Sequence, residues 1–294
     1  KIHTLEKLFV FNGLQRTEVA EASVGDIVAI AGVEDVSIGD TISSDEDMVP
    51  LPTIKIEEPT VKMTFGVNTS PLMGREGIHC TSRMLLGRLK KELRTNVSLR
   101  IETTSSPDEF LVFGRGELQL AILVETLRRE QFEFQVSRPE PVTKSIDDQI
   151  QEPYEHLTIN TLEEYVGDLT EELSGRLAEL VDMAYDGNGA VHLAYSLPTR
   201  GLIGFGSFFS RITRGNGTKD SVFTEYRPMK GQLRESAGGA LVASEDGVAV
   251  KNGLMTAQGR GETFIDAGTS VYEGMIIGRH RRQEDIGINV CKEK

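Results

Sequence analysis

Two stretches of this 294-residue chain repeat the same order of predicted elements, and this repetition constrains the fold more than any other feature. The first stretch opens at Glu58-Pro59 and the second at Glu152-Pro153. In each, strand-like runs alternate with segments whose apolar residues recur at helical spacing. The order in both is β-α-β-β-α-β, the split βαβ or ferredoxin-like sandwich. We therefore predict an α+β protein with two tandem ferredoxin-like domains, each a four-stranded antiparallel sheet carrying two helices on one face.

The two stretches divide into matching sets of elements. In the first, we predict strands at 61–67, 96–102, 110–114 and 132–136, a helix that Ser82 can cap, and a second helix from Glu117 through Arg129. In the second, we predict strands at 154–162, 179–184, 190–197 and 221–226, with helices over 166–177 and over the segment that starts at Pro198. The run Gly215-Asn216-Gly217 after Arg214 can end this last helix in left-handed geometry.

The regions that flank the two stretches contain short β runs. Residues 23–30 and 37–42 each place Gly-Asp between apolar runs, which is typical of the hairpins of a small barrel. After Pro228, glycine-broken β runs over 238–250, 262–278 and 288–290 indicate a mostly-β region. We predict four domains: a partial β-barrel (1–52), two ferredoxin-like domains (53–144 and 145–228) and a mostly-β C-terminal domain (229–294). Because the chain begins mid-pattern without methionine, we expect it to be part of a longer protein.

The charge is strongly segregated along the chain. The net charge is −13, yet residues 75–100 hold seven bases and two acids, while residues 145–186 hold twelve acids and one base. A protein that coats nucleic acid without specificity is normally basic overall. Local basic surfaces on an acidic body instead favour docking at one defined site, because the acidic remainder repels contacts in the wrong register.

The segment Pro198–Lys219 is the strongest candidate for such a surface. It has four cations and no carboxylate. On a helix at about 100° per residue, one face collects Leu202, Phe205, Phe208, Phe209 and Ile212. The opposite face collects Arg200, Ser207, Arg211 and Arg214. This arrangement predicts a helix that lies on its domain and presents cations to a polyanion, although an ordinary solvated polar face is the simpler alternative.

Two further basic groups are less distinctive. The predicted helix at 83–94 carries Arg83, Lys90, Lys91 and Arg94 away from its leucines, which is compatible with solvated surface. The run 279–282 lies at a strand end, where alternate residues point to opposite faces. The complete set of candidate RNA-binding residues is Arg200, Ser207, Arg211, Arg214, Lys219, Arg279, Arg281 and Arg282.

Catalytic and metal-binding patterns are absent from the sequence. There is no GxxxxGK[ST] phosphate loop, GxSxG or HExxH. Residues 114–117 (GRGE) could mimic an anion cradle, but Glu117 would repel a phosphate, so a plain turn is the better interpretation. His79 and Cys80 are adjacent and point apart on a strand, which disfavours joint metal ligation. Cys291 is the other cysteine, and two isolated cysteines favour a reducing compartment. We predict no catalytic residue, metal or cofactor site, and no membrane span.

Several motifs resemble those of a known group. Residues 23–41 resemble the second-domain barrel of the translational GTPases related to elongation factor G, residues 114–130 and 136–142 the third domain, and residues 152–180 the fifth. Within that group, PTRGLIGF (198–205), VYEGMIIG (271–278) and INVCKEK (288–294) resemble the BipA (TypA) family.

This resemblance implies a ribosome-binding, non-catalytic portion of a GTPase that acts in large-subunit assembly and stress adaptation. GTP and magnesium would belong to a GTPase domain outside this chain. The implied partners are large-subunit rRNA, proteins of the factor-binding site and tRNA, in the cytoplasm, with no membrane and no DNA. Two departures matter: many relatives carry Arg where this chain has Gly206, and they continue beyond Lys294 into a basic loop that approaches tRNA.

Two other classes stay open from the sequence. A metabolite sensor could hold a ligand between the tandem domains, and a deep apolar pocket there would favour it. An enzyme with an unrecognised site would show a cleft with convergent polar groups. A continuous positive ridge through Arg200, Arg211 and Arg214 would favour the RNA-binding interpretation.

Overall fold

The computed structural model describes residues 2–33, 36, 38–44, 48–52, 58–233 and 238–293. These residues form a mixed α+β protein whose strands fall into five sheets, none closed into a barrel within the described ranges. The predicted α+β class is confirmed. In the part of the chain that the structure describes, no helix is both long and apolar enough to cross a membrane.

The N-terminal region is an open antiparallel sheet in the order β2-β1-β3. Its strands are β1 (Lys7–Asn12), β2 (Gln15–Glu18) and β3 (Val28–Ala31). In the predicted hairpin at 37–42, residues 38–42 form no strand, and Ser37 lies outside the described residues. Gly39, at φ 98°, forms a turn there, and the hydroxyl of Thr41 accepts a hydrogen bond from the backbone N–H of Leu51. The predicted turn at Gly39 is therefore present, but no strand of the hairpin follows it in residues 40–42.

The first ferredoxin-like unit (residues 58–141) has the predicted order of elements. It contains β4 (Val61–Val67), α1 (Ser82–Glu92), β5 (Arg100–Thr103), β6 (Glu109–Gly114), α2 (Glu117–Arg129), β7 (Phe134–Val136) and β8 (Glu140–Pro141). The sheet order is β5-β6-β4-β7, with β8 added on β4, and every pairing is antiparallel. The four main strands therefore have ferredoxin-like topology.

Alternation along β4 explains why both helices lie on one face. Val61, Met63 and Phe65 are buried in the same core as Leu85 and Leu89 of α1 and the three buried leucines of α2. Strand β5 begins later than the predicted 96–102. Residues 96–99 form a turn instead, in which the side-chain amide of Gln119 donates to Asn96 Oδ1 and Ser98 Oγ.

The second ferredoxin-like unit (residues 144–228) repeats this topology. It contains β9 (Lys144–Ile146), β10 (Gln149–Leu162), α3 (Val166–Gly175), β11 (Glu179–Tyr185), β12 (Ala190–Pro198), α4 (Thr199–Leu202), α5 (Phe205–Ile212) and β13 (Gly217–Pro228). A 3-10 turn, Glu163–Tyr165, precedes α3. The sheet order β11-β12-β10-β13 is equivalent to that of the first unit, and α3 and α5 bury their apolar residues in one shared core.

The C-terminal region is mostly β, as predicted, but contains a helix that the sequence did not indicate. Its elements are β14 (Ala240–Ala243), β15 (Gly247–Val248), α6 (Lys251–Gln258), β16 (Gly261–Thr263), β17 (Ser270–Val271), β18 (Ile276–His280) and β19 (Ile286–Ile288). A Cβ at Gly253 of α6 would lie 2.3 Å from the carbonyl oxygen of Val290. Helix α6 therefore packs closely against the backbone of Val290 through a glycine. Because glycine has a low helix propensity, it weakens the helical pattern in the sequence.

Each of the five sheets lies almost entirely within one predicted domain. The exception is Lys144, which we placed at the end of the third-domain segment and which pairs with Gln151 in the second unit. These pairings support the four-domain division, which we retain as an inference.

A buried carboxylate organises the loop between β4 and α1. Glu133 accepts hydrogen bonds from the side-chain amide of Asn68 (2.7 Å) and from the backbone N–H groups of Gly74 (2.7 Å), Glu76 (3.1 Å) and Gly77 (3.2 Å). Burial by itself raises the pKa of Glu133, but the hydrogen bonds from these four donors outweigh burial and lower the pKa to about 2. The ionised carboxylate therefore connects the loop to the end of the sheet.

We expect Glu133→Gln to lower the free energy of unfolding by about 2 kcal/mol, because an amide replaces acceptor oxygen with N–H facing backbone donors. Since the folded-state pKa lies below the ordinary 4.5, the ionised carboxylate stabilises the fold above about pH 4.5, and this contribution is lost as the pH falls toward 2. Urea unfolding at pH 7 and pH 3 measures both effects. Exposed Glu76→Gln is the control, and an equal loss there would contradict the role of Glu133.

Candidate RNA-binding surface

The predicted arginine-lined helix is broken in two, which corrects the expectation of one continuous helix. Helix α4 ends at Leu202, and α5 begins at Phe205 after Gly204, which has φ 74°. Arg176 Nη1 donates to the carbonyl oxygens of Gly201 (2.8 Å) and Ile203 (2.9 Å), which occupies the carbonyls at the end of α4. Long-range partners therefore stabilise a turn where the local periodicity predicted helix.

A side chain from the first unit completes this turn. Glu117, the first residue of α2, accepts a hydrogen bond through Oε2 from the backbone N–H of Gly204 (2.7 Å). A carboxylate at a helix N-terminus is favourable because the unpaired N–H groups there carry partial positive charge. The start of α5 is therefore positioned by the first unit, and GRGE at 114–117 forms a strand-to-helix turn.

The underside of α5 fixes its orientation. Phe205 and Phe209 are buried at 0% and 4% exposure in the core of the second sheet, and Leu202 and Phe208 pack at its edge. Burying each phenylalanine contributes about 2 kcal/mol. The predicted apolar face is thus confirmed for these four residues, and the opposite side of α5 must face solvent.

Three cations and one hydroxyl lie on or beside the solvent side of α5. Ser207 and Arg211 are exposed, and the Arg211 guanidinium lies 5.6 Å from the Phe208 ring centroid. Arg214 is exposed beyond the helix at φ 51°. Lys219, in β13, is exposed too, and a Cβ at Gly206 would lie 3.7 Å from its Nζ. We call Ser207, Arg211, Arg214 and Lys219 the α5 basic surface.

One acid lies close to this surface, although the segment itself contains none. A Cβ at Gly206 would lie 3.6 Å from Glu117 Oε1 as well as near Lys219. The field at the N-terminal end of α5 is therefore partly offset by the first unit. Arg211 and Arg214, at the other end of α5, supply most of its positive potential.

Arg200 does not belong to the exposed surface. Its guanidinium donates to both carboxylate oxygens of Glu152, through Nε (2.6 Å) and Nη2 (3.0 Å), and their side chains are 10% and 0% exposed. Nη2 also donates to the carbonyl oxygens of Lys230 (2.7 Å) and Gly231 (3.3 Å). Arg200 thus anchors α4 and the segment leading to the C-terminal region. The predicted ridge through Arg200, Arg211 and Arg214 is wrong, because burial next to Glu152 takes Arg200 away from solvent.

The second basic group lies on the C-terminal sheet. Arg279, Arg281 and Arg282 are exposed, whereas His280 between them is buried and its Nδ1 lies 2.6 Å from the Glu284 carbonyl oxygen. Arg279 and His280 thus alternate as expected for a strand, whereas Arg281 and Arg282 follow the end of β18, so the cluster is not divided between two strand faces. Glu262 lies directly opposite Arg279 in the sheet, so the local charge is mixed.

The cations on α1 and just after its end form a second exposed basic group for comparison. Arg83, Lys90, Lys91 and Arg94 are exposed, and none forms an ion pair within the described ranges. Arg88 of the same helix instead bridges Glu92 and Glu130. Nearby, the His79 ring packs on Phe132 and the Cys80 thiol donates to the Gly77 carbonyl oxygen. No group of three or more potential metal ligands occurs among the described residues.

Comparison with known families agrees with this architecture. Residues 149–237 match the family model for the C-terminus of elongation factor G, residues 1–43 match elongation factor Tu domain 2, and residues 238–294 match the TypA/BipA C-terminal domain. The matched regions, which include the second ferredoxin-like unit, thus define an elongation factor G-like protein.

Similarity over the full chain identifies the family within this class. The chain is 46% identical over 295 residues to the large ribosomal subunit assembly factor BipA of Bacillus subtilis (100% of this chain, 48% of that protein). It is 49% identical over 290 residues to that of Synechocystis (99% and 49%) and 42% identical to the putative elongation factor TypA-like SVR3 of Arabidopsis thaliana (99% and 43%). The chain belongs to the TypA/BipA family and spans about half the length of these curated relatives.

We expect Arg200→Gln to lower the free energy of unfolding by about 3–5 kcal/mol, because it leaves Glu152 buried without its cation. Arg211→Gln, the matched control, should change it by less than about 0.5 kcal/mol, since this side chain is exposed. Thermal or urea unfolding monitored by circular dichroism tests the difference. Equal stabilities of the two variants would show that the buried ion pair does not anchor α4.

Proposed function

We propose that this chain is the ribosome-binding portion of a translational GTPase of the TypA/BipA family and contacts ribosomal RNA through the α5 basic surface. The observation that carries the proposal is the fixed orientation of α5. Phe205 and Phe209 hold one side of α5 in the core, which fixes the orientation of the helix. Arg211 and Arg214 therefore point to solvent from a fixed backbone. Preorganised cations bind phosphate with a smaller entropic cost.

The relatives' names supply the biological setting of this proposal. By analogy with the large-subunit assembly factors, the partner is the ribosome and the process is large-subunit assembly. From the resemblance to the translational GTPases we add to the proposal a role in translation, including under stress, in the cytoplasm. We further propose that contact extends to proteins near the factor-binding site and to tRNA. Arg279, Arg281 and Arg282 would add a second phosphate contact from the C-terminal region.

The junction between the two ferredoxin-like units disfavours the metabolite-sensor alternative. There the Thr60 hydroxyl donates to the Arg115 carbonyl oxygen (2.7 Å) and approaches Glu155 Oε1 (3.5 Å), which also accepts from the Thr199 hydroxyl (2.7 Å). Thr60, Glu155 and Thr199 are all at most 5% exposed. One of these contacts, from Thr60 to Glu155, joins the two units directly, and the buried residues around it fill the position where a sensor would hold its ligand.

We also propose that this portion is non-catalytic and that GTP and magnesium act in a separate domain of the whole protein. The sequence contains no phosphate loop that could hold a nucleotide. Equilibrium dialysis with labelled GTP should therefore detect no binding to this chain, with or without magnesium. Binding at micromolar GTP would contradict the assignment.

Replacing Arg211, Arg214 and Lys219 together by glutamate should weaken ribosome binding and flatten its salt dependence. Each lost phosphate contact removes about 0.7–0.9 from the slope of log K against log salt concentration, so three contacts remove about two to three. Co-sedimentation of the chain with ribosomes across a salt series measures this slope. The variant should retain its fold, because these side chains are exposed.

Charge reversal of Arg83, Lys90 and Arg94, on α1 and just after its end, is the matched control, since it changes the net charge by the same amount at another exposed helix. We expect it to leave the slope within about one of the parent value. Equal slopes for the α5 variant and the parent would mean that the α5 basic surface does not contact RNA.

A further inference from the structure

The second ferredoxin-like unit has an edge strand with unusual side chains. Strand β11 ends the sheet order β11-β12-β10-β13 and has no partner on its outer side among the described residues. Such an edge presents unpaired backbone N–H and C=O groups that can pair with another extended chain. Proteins commonly protect edges with short strands, proline, bulges or charged side chains, lysine above all. The charged residues on this strand are the acids Glu179 and Asp182. This strand has seven residues and contains neither proline nor lysine.

Apolar side chains along the edge remain in solvent. Leu180, Val181 and Tyr185 are 50%, 59% and 57% exposed. Leu180 and Tyr185 pair with Tyr195 and Val191 of β12, which are buried in the core. Because paired residues share a face of the sheet, Leu180 and Tyr185 lie at the rim of the helix-covered side. An added strand could cover both side chains.

The charge around this edge is strongly negative. Glu179 and Asp182 lie on the strand, Asp186 follows it, and all three are exposed. Helix α3, whose Leu169 and Leu173 share a core with Met183 of β11, exposes Asp168 and Glu171 as well. Arg176 is the single base in residues 145–186, and it is held by Glu172 and two carbonyl oxygens. Ser196 is the residue of β12 that pairs with Glu179, and its hydroxyl accepts a hydrogen bond from the Arg227 guanidinium. That guanidinium is already in an ion pair with Glu225.

We propose that β11 is a docking edge for an extended, lysine- or arginine-rich segment of a partner protein, which adds as a further strand. Backbone pairing would supply affinity, the exposed apolar side chains would be covered, and the carboxylates would select a basic sequence. The acids repel RNA, so this edge has a different kind of partner from the α5 basic surface. The proposal does not depend on RNA binding by α5.

A second copy of this chain fits the same edge less well. Pairing two β11 strands would bring the acids of both copies together without compensating cations. The register shift between Leu180 and Asp182 also twists the edge and disfavours a long continuous ladder. A short basic peptide can adapt to this irregularity, whereas an identical rigid edge cannot.

The direct test uses a fluorescein-labelled seven-residue peptide in which lysine alternates with valine and threonine. We expect saturable binding by anisotropy and slower amide hydrogen exchange over residues 179–185. A peptide with glutamate in place of lysine should not bind. A peptide with alternate amides N-methylated should bind at least tenfold more weakly, because it cannot pair as a strand. Undiminished binding of the methylated peptide, or protection only elsewhere in the chain, would overturn the proposal.

Two matched variants locate the site on the protein. Asp182→Lys on β11 should weaken binding of the lysine peptide at least fivefold, whereas Asp220→Lys, an exposed aspartate on the opposite edge strand β13, should change it less than twofold. Circular dichroism verifies that both variants remain folded. Equal effects would indicate non-specific attraction to an acidic protein. Sedimentation equilibrium that shows a dimer abolished by Asp182→Lys would assign the edge to a second copy and overturn the proposal.

Discussion

The burial of Phe205 and Phe209 beneath α5 is the constraint on which the proposed RNA contact depends. These rings complete the core of the second sheet, so the helix cannot rotate without exposing them to water. Arg211 lies on the opposite side of the same short helix, and Arg214 lies just beyond its end. The position of these charges is therefore determined by apolar packing.

Polar contacts from outside the segment set where this helix begins. Arg176 occupies the carbonyls at the end of α4, Glu117 accepts from the N–H at Gly204, and Arg200 joins Glu152 inside the protein. Arg176 and Glu152 come from other elements of the second unit, and Glu117 comes from the first unit. The orientation of the α5 basic surface thus depends on both ferredoxin-like units, and the junction at Thr60 and Glu155 connects them further.

The segregation of charge in the sequence becomes a division of surfaces in the second unit. Its α5 side exposes cations, and its β11 edge exposes acids beside apolar side chains. A particle made of RNA and basic proteins offers a complementary partner to each surface. The net negative charge of the chain is therefore compatible with a cationic contact, since the acids lie mainly on another side of the same unit.

The sequence by itself determined the order of strands and helices in the two ferredoxin-like units, the α+β class, the family and the apolar side of α5, because these depend on local periodicity and on motifs that short segments carry. Helix α2, for example, occupies the predicted residues from Glu117. Only the tertiary structure decided that the helix breaks at Gly204, that Arg200 is internal and that Glu117 approaches Lys219. Each of these depends on residues distant in sequence, such as Glu152 and Arg176. A helical wheel predicts only the direction of each side chain around its own helix axis. Burial and ion pairing also depend on residues that other elements place beside the helix.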